Sequence, residues 1–432
     1  MSRWPLWSIA TFGGLCAALL SLHALDASRS PSQLLRKSTP PGFSDFQKQY
    51  LCVYWIVMFA DWLQGPNMYT LYQSYDMDVG ALFMIGFTSS AVCSSAVGRL
   101  VDTHGRKHAC VVFCLLEIVI NVLEHVPNFT VLAIGRVLGG ISTALLFSAF
   151  ESWMVGEHRR RRFPDELLES TFALAAEGNG LVAIGAGVAA QVASDAHGDI
   201  APFQLAIAAT LVALLCIWHL WPSDTPSQSS AEPHHCATAQ PSTPWTWPVL
   251  GLGLTYSLFE GAMYVFVFLW VPALQSLCDD PHQVPVGLVF ASFMLCLAIG
   301  GKVVRGVPHS SLSSVFAILH GVAALCMAIS AMEWGFGWTL GAFLAFEICV
   351  GMYFPVAATL RATTFPEATM STIMTTFRLP TNAIVLVGTQ MLSWPFSSSH
   401  VFLLCVVVHG IAAALSTTVN ASIQHKTSRH RD

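Results

Sequence analysis

Arg136 and Arg378 are the residues of this chain best suited to chemistry on an anion, because both lie inside long apolar segments. The other eighteen of its twenty Lys and Arg residues stand in short hydrophilic gaps or near the termini. A guanidinium inside a membrane helix costs several kcal/mol unless it is paired or hydrated, and is normally retained for a function. Its planar fork suits bidentate contact with an oxyanion; the other reading is an ion pair with a nearby carboxylate. Six carboxylates also lie in apolar segments: Asp61, Glu117, Glu151, Glu177, Glu260 and Glu347. Six acids and two arginines cannot all stay ionised in a low dielectric, so some acids must be protonated or hydrated. That points to a coupling proton, with Glu260 or Glu347 as its carrier.

The elements that must position these groups are membrane helices. Hydrophobic residues make up 54% of the 432 and charged residues 10%, against about 25% charged in an average soluble domain. Apolar stretches of membrane-spanning length recur at 4–25, 49–72, 79–98, 108–126, 129–153, 171–194, 201–221, 246–271, 284–301, 311–331, 336–359, 370–392 and 399–420. The expected fold is therefore an all-α polytopic membrane protein with one extra N-terminal helix followed by twelve core spans. Residues 1–48 hold the extra helix and a cytoplasmic linker. Residues 49–221 and 246–421 form two six-helix halves, joined by a linker at 222–245 and ended by a tail at 422–432. The linker, with Pro222, Pro226 and the His234-His235 pair, carries no hydrophobic period; the two histidines read as polar filler rather than as metal ligands.

Charge sidedness orients the spans. One set of alternate gaps holds Arg29, Arg36, Lys37, Lys48, Arg99, Arg106, Lys107, Arg159 to Arg162, Lys302, Arg305, Arg361, Lys426, Arg429 and Arg431. The opposite gaps hold Asp76, Asp78, Glu124, Asp195, Asp199, Asp279, Asp280 and Glu333, with no Lys or Arg. The positive-inside rule puts the first set, and the C-terminus, in the cytoplasm. Residues 4–25 read as a retained helix rather than a cleaved signal, because no good small-residue cleavage site follows. The twelve cysteines lack CxxC pairs and read as small buried hydrophobes. Asn128-Phe129-Thr130 forms an outer-side glycosylation sequon that abuts a helix.

The halves share a faint repeat at an offset of 202: Gln73-Ser74 with Gln275-Ser276, Gly135/Gly139 with Gly337/Gly341, and Phe163-Pro164 with Phe365-Pro366. Two parallel six-helix halves suit a rocker-type transporter. No P-loop, nucleophile–base set or metal cluster appears, so neither an enzyme, a cofactor, a metal nor a nucleic-acid partner is expected.

Between the second and third core spans stands Gly98-Arg99-Leu100-Val101-Asp102-Thr103-His104-Gly105-Arg106-Lys107. This resembles the signature loop of the major facilitator superfamily, G-x-L-x-D-x-x-G-R-K. The resemblance implies a gating role for Gly98, Asp102, Gly105, Arg106 and Lys107, through a switchable charge network between halves. The second half offers only Gly301-Lys302 and Arg305 there, so gating should be asymmetric. Longer strings, Ala60-Asp61-Trp62-Leu63-Gln64, Gly135-Arg136-Val137-Leu138-Gly139-Gly140, Leu258-Phe259-Glu260 and Gly351-Met352-Tyr353-Phe354-Pro355, resemble the molybdate-anion transporter family within that superfamily. The likeness implies molybdate as the solute.

In the superfamily the first, fourth, seventh and tenth core spans line the central cavity. That implies cavity positions for Asp61, Arg136, Glu260 and Glu347, with Arg378 on the eleventh span. These five are the substrate-binding or coupling candidates. Gln64-Gly65-Pro66 should break or kink the first core span beside Asp61. Arg136 is open to both oxyanion binding and a structural tie, and Arg378 to both an anion and an ion pair with Glu347 or Glu260. Glu151 suits a cytoplasmic interfacial role, and Glu117 and Glu177 structural pairing. Asn179 and Asn382 are weak cavity candidates, Arg159 to Arg162 a topology anchor, and Gly178, Gly180, Gly185 and Gly187 helix-packing surfaces. The expected function is inward transport of a small oxyanion across a membrane, the plasma membrane before an internal one. A carrier of an organic anion or sugar, or a non-transporting sensor or scaffold, is the alternative.

Overall fold

A computed structural model of the chain describes residues 4–29, 40–222, 245–280, 283–308, 311–366, 370–393 and 397–429. The linker and its two histidines fall almost wholly outside them. Fourteen helices and no strand occur among the described residues. They are α1 (Leu6–Arg29), α2 (Phe43–Gln64), α3 (Met68–Ser74), α4 (Val79–His104), α5 (Arg106–Leu123), α6 (Phe129–Arg160) and α7 (Asp165–His197). Then follow α8 (Ala201–Leu220), α9 (Trp247–Gln275), α10 (Val286–Arg305), α11 (Leu312–Ala331), α12 (Phe336–Thr364), α13 (Met370–Ser393) and α14 (Ser398–Arg429). A bilayer core offers no water to backbone groups, so spans satisfy themselves as helices. Nine stretches among the described residues are long and apolar enough to cross a membrane, lying in α1, α6 to α12 and α14. The remaining expected spans, α2, α4, α5 and α13, form as helices but carry more polar residues.

The break beside Asp61 is present. α2 ends at Gln64, and α3 starts only at Met68, after Gly65-Pro66-Asn67. Proline cannot donate a backbone hydrogen bond, and its ring crowds the preceding turn. The signature segment departs from the expected loop. α4 runs helically through Gly98 and Asp102 to His104, and α5 begins at Arg106. Gly105 alone makes the turn, at φ +99°, a backbone region that side chains disfavour. α14 runs on helically to Arg429.

The chain divides into two compact units. The first contains α2 to α8; the second contains α9, α11 to α14 and most of α10. In the first, α4 and α5 pack on α6, while α7 and α8 pack on α2. An aromatic stack seals the end of this unit: the Trp153 and Trp221 rings lie parallel with centroids 3.6 Å apart, and Tyr50 stacks on both. In the second, α9 contacts α12, α13 and α14, and α11 packs on α12 and α14. Phe259 and Tyr353 stack there at 3.6 Å.

Small residues set some of these approaches. A Cβ on Gly178 would fall 2.2 Å from the Trp55 ring, so α7 and α2 meet closely there. Gly180, Gly185, Gly337 and Gly341 meet nothing within 4 Å, so the expected packing role holds for Gly178 and not for Gly180 or Gly185.

Candidate functional site

Two polar clusters occupy the first unit. Arg136 sits eight residues into α6. Helical side chains lean toward the helix N-terminus, which carries its guanidinium back toward the end of α5. There Arg136 Nη2 lies 3.5 Å from Glu124 Oε1. Glu124 is fully buried, although its position between spans suggests a surface loop acid. Tyr72 Oη donates to Glu124 Oε1 at 2.8 Å, and Tyr75 Oη to the Glu124 carbonyl at 3.0 Å. The Arg136 guanidinium also lies 5.9 Å from the Tyr72 ring centroid. The structure thus supplies the acidic partner that Arg136 requires, while Arg136 Nε and Glu124 Oε2 have no hydrogen-bond partner.

The second cluster centres on Glu117 of α5, a buried carboxylate held by neutral donors. Ser142 Oγ donates to Oε1 at 2.6 Å and Gln64 Nε2 to Oε2 at 3.0 Å. Asn121 Nδ2 donates to the Glu117 carbonyl at 2.7 Å. The expected structural role is therefore filled by hydrogen bonds rather than by a basic partner. Asp61, one turn before the break in α2, lies within electrostatic range of this carboxylate. Beside it, Trp62 Nε1 donates to Asn179 Oδ1 of α7 at 2.9 Å. Glu177 is exposed.

At the other end of this unit, Arg106, Phe147, Ser148, Glu151, Ser152 and Val155 line one cleft. Glu151 is exposed in it. The Arg106 guanidinium packs over Gly156, where a Cβ would fall 1.7 Å from Nη1. Lys107 Nζ donates to the Trp221 carbonyl at 2.6 Å, capping α8. The side chains of Asp102 and of the rest of 98–104 lie outside the described residues. Arg160 grips Glu157 with Nε and Nη2 at 2.6 Å each, and Arg161 Nε reaches the same carboxylate at 2.7 Å. Two of the four consecutive arginines are thus tied to the chain itself. The Asn128 side chain caps α6 by accepting from the Thr130 and Val131 amides.

The second unit brings Glu260 within electrostatic range of Arg378. Glu260, midway along α9, adjoins the Tyr256 hydroxyl and lies within electrostatic range of Arg378 on α13 and Arg361 on α12. Arg378 is exposed on the unit, as is Asn382 one turn on. Glu347 is buried on α12 near Cys296, and neither arginine is among the groups that act on it. Of these two acids, Glu260 is the one on which Arg378 acts electrostatically.

The sequence reading places Arg361 in a cytoplasmic gap, beyond the apolar stretch 336–359. It lies within α12, partly buried, its Cζ 4.2 Å from the Tyr256 ring centroid. A third arginine therefore enters the bundle. Its position three residues before the helix end hides it from hydropathy, while the lean of helical side chains carries it inward.

Comparison with known proteins places this architecture. Residues 7–351 match a family described as sugar transporters with twelve transmembrane segments. The Xenopus laevis molybdate-anion transporter is 32% identical over 390 residues, covering 85% of this chain and 84% of the relative. The Danio rerio molybdate-anion transporter is 30% identical, covering 89% and 87%. Among solved structures, the nucleoside transporter NupG (D323A mutant) overlays with TM-score 0.66 at 11% identity, covering 87% of this chain and 99% of that one. A bacterial homologue of the iron transporter ferroportin gives 0.67 at 13% identity, covering 87% and 98%. These two likenesses establish the fold: a twelve-helix major-facilitator architecture of two six-helix halves with one extra N-terminal helix. The chain is a multi-pass integral membrane protein and belongs to the molybdate-anion transporter family of the major facilitator superfamily.

Proposed function

We propose that this protein is a secondary transporter that carries molybdate, a small divalent oxyanion, inward by alternating access. The observation that carries the reading is the 30–32% identity to molybdate-anion transporters over most of both chains. The chemistry of the second unit supports it, because an anion explains guanidinium groups kept inside a span at a cost. A sugar, which the broader family description would suggest, needs hydrogen-bonding amides and hydroxyls rather than fixed positive charge. In cells expressing the protein, molybdate accumulation should fall when sulfate or tungstate competes and stay unchanged with glucose. Competition by glucose alone would favour the sugar carrier.

Arg378 and Glu260 form the proposed binding region in the second half, with Asp61, Arg136 and Glu347 as further binding or coupling positions. The signature residues Gly98, Asp102, Gly105, Arg106 and Lys107 serve gating. Plasma-membrane residence and a cytoplasmic C-terminus complete the reading, the latter supported by the charge segregation of the gaps.

A proton is the proposed coupling ion and Glu260 its first carrier, released to take up the proton when the solute draws the two arginines away. The titratable and charged groups around it are Tyr256 and Tyr264 on its own helix, Tyr353 and Arg361 on α12, and Arg378 on α13. From α14, His409 reaches the adjacent Phe259. If Glu260 takes up the proton, acid outside should speed wild-type uptake, and Glu260→Gln should remove that acceleration. Glu347→Gln tests the second carrier in the same way. Wild-type pH dependence in both variants would refute proton carriage by these acids.

A further inference from the structure

Arg361 has more donors than partners. Its Nε and Nη1 atoms are buried without a hydrogen-bond partner, although a guanidinium carries five N–H groups and no acceptor. Leaving such donors unmet in an interior is unfavourable, so the site is incomplete as it stands. The guanidinium is nonetheless held in place. It stacks over Tyr256 of α9 at 4.2 Å, a cation–π contact that fixes its plane. Tyr353, two turns earlier on α12, donates to the Tyr256 carbonyl at 3.4 Å, so α12 and α9 are tied at a second height. One turn beyond Tyr256, Glu260 lies within range of both Arg361 and Arg378.

The charge count points the same way. Two guanidinium groups face one carboxylate, so the cluster carries surplus positive charge even with Glu260 ionised. Glu260 lies within electrostatic range of both arginines, as an anion bound to them would. Arg378 is exposed, which gives a solute access, whereas Arg361 is partly buried with its Nε and Nη1 atoms enclosed.

We propose that Arg361 and Arg378 together hold a divalent tetrahedral oxyanion, with Tyr256 as the platform for Arg361 and Glu260 as the counter-charge that the anion displaces. This rests on the transport reading above and adds to it a binding residue that the sequence places in a loop. The enclosed donors of Arg361 meet the inner oxygens of the anion, and Arg378 meets it from the accessible side. The carboxylate of Glu260 leaves the arginines as the anion arrives and takes up a proton, so the two guanidinium charges are balanced by the divalent anion and Glu260 is left neutral.

The test uses purified full-length protein with Arg361→Lys, Arg361→Gln and Tyr256→Leu variants. Two readouts are taken: the concentration dependence of labelled molybdate uptake into vesicles, and the melting temperature with and without molybdate, tungstate or sulfate. Arg361→Lys should raise KM about tenfold, because the charge is kept while the planar donors are lost. Its anion-free melting temperature should stay at the wild-type value, a split that a merely structural residue would not give. Tyr256→Leu should raise KM in the same direction by freeing the guanidinium. Should Arg361→Gln fail to fold, the lysine variant decides. A wild-type KM in Arg361→Lys, with wild-type uptake intact, would overturn the proposal and leave the transport reading standing. Wild-type protein that takes up no molybdate would overturn the transport reading. In that case anion-dependent stabilisation, present in wild type and lost in Arg361→Lys, would still support the two-arginine site, and its absence from wild type would overturn both.

Discussion

Glu124→Ala is expected to destabilise the first six-helix unit by about 3–5 kcal/mol, the cost of removing one partner from a buried ion pair. Glu124 is fully buried and Arg136 nearly so, with side-chain exposures of 0% and 16%. The same carboxylate accepts from Tyr72, and its carbonyl from Tyr75. Alanine would leave the guanidinium without its ion-pair partner and the Tyr72 hydroxyl without this acceptor. The expected result is a much lower melting temperature of the purified protein in detergent. A second change, Arg136→Met on the Glu124→Ala background, should recover most of the loss, because the orphaned charge is then gone. An unchanged melting temperature in Glu124→Ala would show that Arg136 draws its compensation from elsewhere.

The second large effect concerns the other intramembrane arginine. Arg378→Gln should raise the KM for molybdate on the order of 100-fold, since charge-assisted hydrogen bonds contribute about 1.5–3 kcal/mol each and a fork can make two. Arg378→Lys should recover part of the affinity, as charge without the planar geometry allows. The contrast with Arg136→Lys gives the experiment its force. Arg136 already has Glu124 at 3.5 Å, so its lysine variant should lower stability more than it alters KM. An Arg136→Lys variant that raises KM as much as Arg378→Lys, with unchanged stability, would show that Arg136 acts on the solute rather than chiefly as the partner of Glu124.

Much of the fold was legible in the sequence for simple reasons. A span must present about 20 apolar residues, so hydropathy located the helices. Gly65-Pro66 removes a donor and crowds the turn before it, and α2 duly ends at Gln64. The signature string marked the major-facilitator fold, but its glycine spacing did not reveal that helix continues through Asp102 to a single turn at Gly105. The polar clusters were harder to read, because sequence position gives the depth of a Cα and not that of a side-chain tip. Glu124 and Arg361 both lie close to helix ends and therefore read as loop charges. Glu124 is in fact sealed beneath Tyr72, and Arg361 leans back along α12 onto Tyr256. The partners of Glu117 were invisible for another reason. Ser142 and Gln64 are common polar residues far from Glu117 in the chain, and only helix packing brings their two donors to its carboxylate.

The central claim is that this chain alone moves molybdate across a bilayer, and uptake of labelled molybdate by proteoliposomes of the purified protein tests it most directly. The account predicts saturable uptake above that of protein-free vesicles, competed by sulfate, quickened by an inward proton gradient and nearly abolished by Arg378→Gln. Uptake by the wild-type protein no greater than that of protein-free vesicles would contradict it.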